Sequence, residues 1–403
     1  MRIAMLSPDI PFPAIRGGRA DVWRRIQAFH RAGIEIHLTC FYDDRPGLRP
    51  TEAAEATVRG EVAVLRTIPI GKGAGATFAR LLRSPEVPWH ARCRTPTPTQ
   101  RDELIDELRG FSPGLVWLEG PWCGVLGRAA ATALGVPLAY RSHNVEHRYM
   151  RGQARLAMRL RDRLALRYSC VGLEAFERSL LFGADHVFDI SASDLAFWET
   201  QGLTRGKWMP PLPEAVLGGR GMQACAPEFD VVFLGNLATP NNVRGIEWLL
   251  REIAPRVLAV RPDTGFVIAG SNPNRQVETL CATVPRAQLL RDPPDAFAVL
   301  RRARVLVNPV RAGSGVQLKA LDMLMTDAPI VSATQGAAGM PDEVKTLFRV
   351  ADDTDAFAAE ILSALASPAV DLDARRRARR HFSVEGVASL VTDIGRESHA
   401  CAT

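Results

Sequence analysis

Short apolar runs alternate along this chain with longer stretches in which apolar residues recur at helical spacing. That is the pattern of parallel strands buried on both faces and the helices that connect them. Residues 3–8 read as the first strand, 20–32 as a helix with Val22, Ile26 and Phe29 on one face, and 34–39 as the next strand. Further strands are expected at 61–70, 115–119, 138–142 and 186–191, the last of this half, with a helix near 126–133. A stretch rich in proline and glycine follows, Met209-Pro210-Pro211-Leu212-Pro213 and then Gly218, Gly219 and Gly221, and has the composition of a linker. The pattern then restarts. Strands are expected at 230–235, 265–270, 305–310 and 329–334, with a helix at 245–260 and another carrying Val316, Ala320 and Leu324. The expected fold is α/β, with two doubly wound domains whose ligands lie beyond the carboxyl ends of the strands. The expected division is 1–208, a linker at 209–228, 229–380, and a C-terminal helix within 381–403 that packs back on the first domain.

Composition narrows the setting. A chain of 403 residues exceeds one ordinary core, and 47% hydrophobic with 23% charged residues is globular usage. The net charge of +6 is carried by arginine, since lysine occurs only at 72, 207, 319 and 345, and argues weakly for anionic partners. Seven cysteines without Cys-x-x-Cys spacing predict reduced thiols. The N-terminus runs straight into a strand without a signal-peptide n-region, and no apolar run reaches spanning length, so a cytoplasmic protein is expected.

The richest chemistry lies at 311–324. A strand ended by Pro309 leads into Gly313-Ser314-Gly315 and then a helix, a turn that aims backbone N–H groups and a helix dipole at one spot suited to phosphate. Lys319, one turn into that helix, and Asp322 share a face, adding a cation and a carboxylate for sugar hydroxyls. A solvated Lys/Asp pair is the plainer reading of the same residues. Gly17 and Gly18 follow the first strand, where a ligand can approach bare backbone or a tight turn simply needs glycine.

Three other motifs compete. Gly71-Lys72-Gly73-Ala74-Gly75-Ala76 matches the dinucleotide fingerprint but precedes a proline-broken segment rather than a strand, so a dinucleotide oxidoreductase stands as the alternative. His143-Asn144-Val145-Glu146-His147 matches the inverted zinc-protease motif, yet His143 ends a strand, where its ring aims at a ligand site. Residues 148–167 hold seven arginines against Asp162, interleaved with apolar residues, as one basic amphipathic helix. Arg155, Arg159 and Arg163 would share its face, either turned to an anionic membrane or merely solvated. No aromatic platform accompanies the charge, so nucleic acid is not an expected partner.

Taken together these stretches resemble the retaining glycosyltransferases of family 4, in their exopolysaccharide-type branch. The resemblance rests on Gly17-Gly18, on Arg141-Ser142-His143-Asn144-Val145-Glu146-His147, on Phe233-Leu234-Gly235-Asn236-Leu237 with Pro240-Asn241-Asn242, and most specifically on 313–322 continuing to 328–332. It implies the GT-B fold, two Rossmann-like domains facing across a cleft. It also implies transfer of a sugar from a nucleotide-sugar donor to a glycan or lipid-linked glycan, in polysaccharide biosynthesis. His143, Lys319 and Arg244 would be catalytic; Gly17, Gly18, Gly235, Asn236, Gly313, Ser314, Gly315, Val316 and Asp322 would bind donor. Within that set Gly18 approaches the diphosphate, His143 the donor sugar, Lys319 the phosphate, and Asp322 the ribose. No metal or other cofactor is implied, because lysine and arginine can steady the leaving diphosphate. Two departures stand out. The family's Glu-x7-Glu is here Ser314 and Asp322, and its arginine after the strand-ending glycine is Asn236, with Arg244 the later basic residue. The missing first glutamate leaves a non-catalytic carbohydrate-binding protein as a further alternative.

Overall fold

The computed structural model describes the chain apart from residues 15, 16, 72, 73, 82–85, 158, 218–225, 314 and 401–403, and the side chains of 74, 76, 79, 81, 156 and 395–400. The backbone divides into two units, Met1–Pro211 with Val384–Thr403, and Leu212–Ser383.

In the first unit the apolar runs become parallel strands β1 (Arg2–Ser7), β2 (Glu35–Asp43), β3 (Val64–Ile70), β4 (Leu115–Glu119), β5 (Leu138–Ser142), β6 (His186–Asp189) and β7 (Gly206–Trp208). Their order is β3-β2-β1-β4-β5-β6-β7, with Ile3 opposite Ile36 on one side and Leu115 on the other. Because strand side chains alternate, Ala4, Leu6, Val116, Leu118 and Tyr140 pack beneath Leu104, Leu126 and Leu180. On the other face the Trp117 ring stacks on Phe188 and meets the edge of Phe29. Phe29 belongs to the helix Gly17–Arg31, against which the helix Val384–Ala400 from the chain's end also lies, burying Val387, Val391 and Ile394.

The second unit repeats the plan with β8 (Phe229–Leu234), β9 (Phe266–Gly270), β10 (Ala287–Arg291), β11 (Ala303–Asn308), β12 (Ile330–Ser332) and β13 (Phe348–Val350), in the order β10-β9-β8-β11-β12-β13. Val231, Phe233, Ile268, Val305 and Val307 form its core with Ile246, Leu250, Phe357 and Ile361 from the flanking helices. Two Rossmann-like α/β units are therefore present, each with the parallel order of a doubly wound sheet.

Several sequence expectations need correction. β6 is not the last strand of its half, since β7 pairs with it through Val187 and Gly206. The helix expected at 245–260 starts earlier, at Pro240, where proline's fixed φ suits a first turn, and passes through a π turn at Leu249–Ile253 before Ala254–Val260. The arginine-rich stretch is not one helix. It forms Glu146–Leu156 and Leu160–Ser169, which pack on each other, with Ala157 and Arg159 extended between them. The first is fixed by burying Met150 and Ala154, and folding back gives the second helix a partner that a single straight helix would lack. Arg155, Arg159 and Arg163 accordingly do not share one helical face.

Candidate functional site

Both sheets reverse strand order at an internal pair, β1 with β4 and β8 with β11, and the carboxyl ends of such pairs are where doubly wound sheets bind ligands.

In the first unit, apolar strands deliver charges at those ends: Glu119 closes β4 and Arg141 lies in β5, both fully buried. Arg141 Nη1 donates to Glu119 Oε2 at 3.0 Å and Nη2 to Asp21 Oδ1, from the helix Gly17–Arg31, at 2.8 Å. His143 places Nε2 2.6 Å from Glu119 Oε2 and Nδ1 3.7 Å from Asp21 Oδ2, while Trp117 Nε1 donates to Glu119 Oε1 at 2.8 Å. Burial works to raise both carboxyl pKa values. Arg141 and His143 outweigh it, so Asp21 and Glu119 are held below the ordinary carboxylate range. Arg25, one turn on from Asp21 and also buried, donates to the Pro210 carbonyl at 2.6 Å; burial and then Arg141 push it down to about 9, still protonated at neutral pH.

Above this cluster lies a cavity of about 260 Å³ lined by Ser7, Gly18, Glu119, Trp122, His143 and Glu146 among others. Gly17 and Gly18 are not a loop but the first residues of their helix, and an added Cβ at either would meet nothing within 4 Å, so the backbone there is uncrowded. Glu146 opens the next helix. Burial, and then the nearby Glu177 charge, push its carboxyl up to about 7. Glu177 accepts from the backbone N–H of Glu146 and His147 and lies 2.6 Å from His147 Nδ1. The two histidines of the zinc-like motif therefore turn to different carboxylates, and among the described residues no group of three His, Cys, Asp or Glu is arranged to hold a metal.

In the second unit β8 ends at Leu234 and the chain turns through Gly235 and Asn236. Asn236 Oδ1 accepts from Ala238 N–H at 3.0 Å and its carbonyl from Asn242 Nδ2 at 2.8 Å. Asn242 is thereby fixed with its own Oδ1 toward Lys319, whose Nζ donates to it at 2.7 Å and lies 4.6 Å from the centre of the Phe233 ring. Among the described residues no carboxylate pairs with Lys319, and desolvation pushes its pKa down to about 7. Lys319 stands in the first turn of the helix Leu318–Leu324, not one turn in, because the glycine turn runs on to Gln317. Gly313 and Gly315 have φ of 148° and 68°, conformations that glycine permits; Ser314 lies outside the described residues, and Val316 is partly buried in the turn. Arg244 is exposed and donates to Asn241 Oδ1 at 2.5 Å. Asp322 Oδ1 accepts from the Glu214 N–H at 3.0 Å.

Behind the turn, buried Asn308 at the end of β11 donates to Gln317 Oε1 at 3.0 Å, and Gln317 donates to the Gln335 carbonyl at 3.1 Å, tying the loops after β11 and β12 together. Sequence reading missed Asp21, Arg25, Glu119, Glu177, Asn308 and Gln317, and gave Asn242 no role. Its one available signal was a charge at the end of an apolar strand, as at Glu119. The glycine segment at 71–76 follows β3, an edge strand, and leads to the helix Ala74–Leu81; Lys72 and Gly73 lie outside the described residues. It is thus away from the β1 turn where a dinucleotide fingerprint sits.

Residues 228–367 match the family described as glycosyl transferases group 1. Over 373 residues, 90% of each chain, the sequence is 22% identical to an uncharacterized 44.6 kDa protein in the cps region of Klebsiella pneumoniae. Among solved structures it is similar to sucrose-phosphate synthase from Thermosynechococcus elongatus, at a TM-score of 0.61 and 17% identity with all of both chains covered. It is also similar to HepE from Anabaena in complex with UDP and glucose, at 0.58 and 12% with 98% of each covered. With these matches laid on the two reversing sheets, the chain has the GT-B fold, and within its second unit residues 228–367 are similar to the glycosyl transferases group 1.

Proposed function

We propose that the chain transfers a sugar, with retention at the anomeric carbon, from a nucleotide-sugar donor to a glycan acceptor in polysaccharide biosynthesis. The observation that carries this is Lys319, a desolvated cation at the β8/β11 ends, held by one amide oxygen and a ring face. Such a group is completed by a bound anion. A nucleoside diphosphate fits, with Lys319 and Arg244 on its oxygens, the N–H groups of the Gly313–Gly315 turn beside it, and Asp322 toward the ribose. Gly235 and Asn236 let the nucleotide approach backbone. In the first unit the uncrowded helix end at Gly17 and Gly18 and the ring of His143 serve the sugar side of the donor.

In the reaction the bond from the anomeric carbon to the diphosphate breaks, its electron pair leaving with the phosphate oxygen. The acceptor oxygen bonds on the same face, and its proton passes to that departing oxygen. Lys319, Arg244 and the turn amides offset the growing charge, so no metal is required. UDP in the HepE complex and the cps setting of the Klebsiella relative support a nucleotide-sugar donor and a glycan product. The acceptor is a lipid-linked glycan met at the cytoplasmic face of a membrane.

Titration calorimetry with UDP at fixed salt tests the donor site. Lys319→Ala should weaken binding by about 1.5–3 kcal/mol. Wild-type affinity should fall as pH rises above 7, since the neutral amine must take up a proton on binding, whereas an unchanged affinity in the variant overturns the assignment. The anomeric configuration of the product, read by NMR, tests retention.

A further inference from the structure

The arginine-rich segment carries something its charge does not explain. On the helix Leu160–Ser169, Leu160 is 62% exposed, Leu164 55% and Tyr168 43%, and Val171 just beyond is 48% exposed. The three helical positions fall within about 80° of arc, a continuous apolar ridge on a helix that lies against Glu146–Leu156 by its other side. Arg163 and Arg167 flank the ridge on one edge and Arg161 on the other. Tyr168 also meets the Trp89 ring, centres 5.8 Å apart, which braces the ridge's far end.

Arg151 pairs with Glu174 and Arg148 lies over the Phe197 ring. By contrast Arg155, Arg159, Arg161, Arg163 and Arg167 have no carboxylate partner among the described residues. Leucine and tyrosine in water, rimmed on both edges by unneutralised guanidinium groups, match the acyl boundary of a bilayer beneath anionic headgroups. A protein partner fits less well, because interface cores are depleted of such charge.

We infer that Leu160, Leu164, Tyr168 and Val171 form a membrane-inserting ridge, seated in the interface of an anionic bilayer and framed by Arg161, Arg163 and Arg167. The helix before it spans about 16 Å and begins at Glu146 on the cavity wall, so the ridge keeps that cavity within reach of a headgroup-linked glycan. The inference deepens the reading of a lipid-linked acceptor and rests on it for its purpose, but its mechanism is insertion rather than charge alone.

Co-sedimentation with vesicles of phosphatidylethanolamine containing a quarter phosphatidylglycerol tests it, run beside UDP calorimetry on the same samples. Leu160→Ser with Leu164→Ser should cut partitioning roughly tenfold per leucine, at low and high salt alike, and leave UDP affinity unchanged. Leu164→Trp should keep binding and show an indole emission that moves to the blue when vesicles are added. Wild-type partitioning lost in high salt and indifferent to the two serines would make the contact purely electrostatic and overturn the inference. So would a wild type that ignores vesicles and associates with itself through the ridge in sedimentation velocity. In either case retained UDP binding leaves the donor reading standing, whereas loss of UDP binding in the wild type removes that reading whatever the vesicles show.

Discussion

At the ends of β1 and β4 the first unit closes Asp21, Glu119 and Arg141 on one another, with Arg25 beside them on the Pro210 carbonyl, while at the ends of β8 and β11 the second unit leaves Lys319 with an amide oxygen and a ring. The sheets have the same strand order up to the seventh strand, so the difference is not one of fold. A closed charge cluster has no net demand for a ligand; it holds His143 and the cavity wall in place. A desolvated cation with no carboxylate beside it among the described residues has that demand. The same topological position can therefore serve as a rigid support or as an anion receptor, according to whether the sequence supplies the counter-charges itself.

Deleting one cation from each unit breaks the comparison most sharply. Arg141→Met leaves two buried carboxylates without their partner and should cost about 3–5 kcal/mol, measured by denaturant unfolding of the first unit. Asp21 and Glu119 have folded-state pKa values below their ordinary 3.8 and 4.5. Their contribution is thus present above those values and lost as pH falls through the folded ones. The cost of Arg141→Met should be largest at neutral pH and shrink in acid.

Glu146→Gln comes next. This carboxyl is pushed up, from an ordinary 4.5 to about 7, so the folded chain binds its proton more tightly and wild-type stability declines as pH rises from 4.5 to 7. The glutamine variant should gain up to about 3 kcal/mol above pH 7 and nothing below 4.5. A gain that does not depend on pH would show that packing, not charge, is responsible.

Smallest is Lys319→Met. Its folded pKa near 7 lies below the ordinary 10.5, so wild-type stability rises with pH across that range, and the apolar replacement should match or exceed it by about 1 kcal/mol at neutral pH. The same variant should lose UDP binding. Destabilisation comparable with Arg141→Met would mean that Lys319 is structural and the contrast between the units false.

Much of the fold was legible because buried parallel strands such as Ile3–Leu6 and Val305–Val307 are unbroken apolar runs that read alike in sequence and structure. The strands that escaped, Gly206–Trp208, Ala287–Arg291 and Phe348–Val350, are edge strands, three to five residues long and partly solvated. The glycine turn before Lys319 was legible too, since Gly313, Gly315 and Lys319 are close in sequence. The cluster around Arg141 was not, because its members stand at 21, 25, 119 and 141 and meet only when β4 and β5 pair and the helix Gly17–Arg31 packs against the sheet. Gly270 shows the same limit: a Cβ there would lie 1.7 Å from the Gly235 carbonyl, a demand for glycine that no neighbouring residue announces.

The helix Val384–Ala400 lies with the first unit although the whole of the second precedes it, so the second unit is an insertion within the first. Order of synthesis then matters. As the chain leaves the ribosome, residues 212–383 emerge as one continuous folding unit, while the helix Gly17–Arg31, made first, must wait for its last neighbour until 384–400 have been made. Until then its covering face is open to chaperones and to wrong partners. A premature stop between 383 and 391 would spare the second unit and leave the first permanently in that unfinished condition.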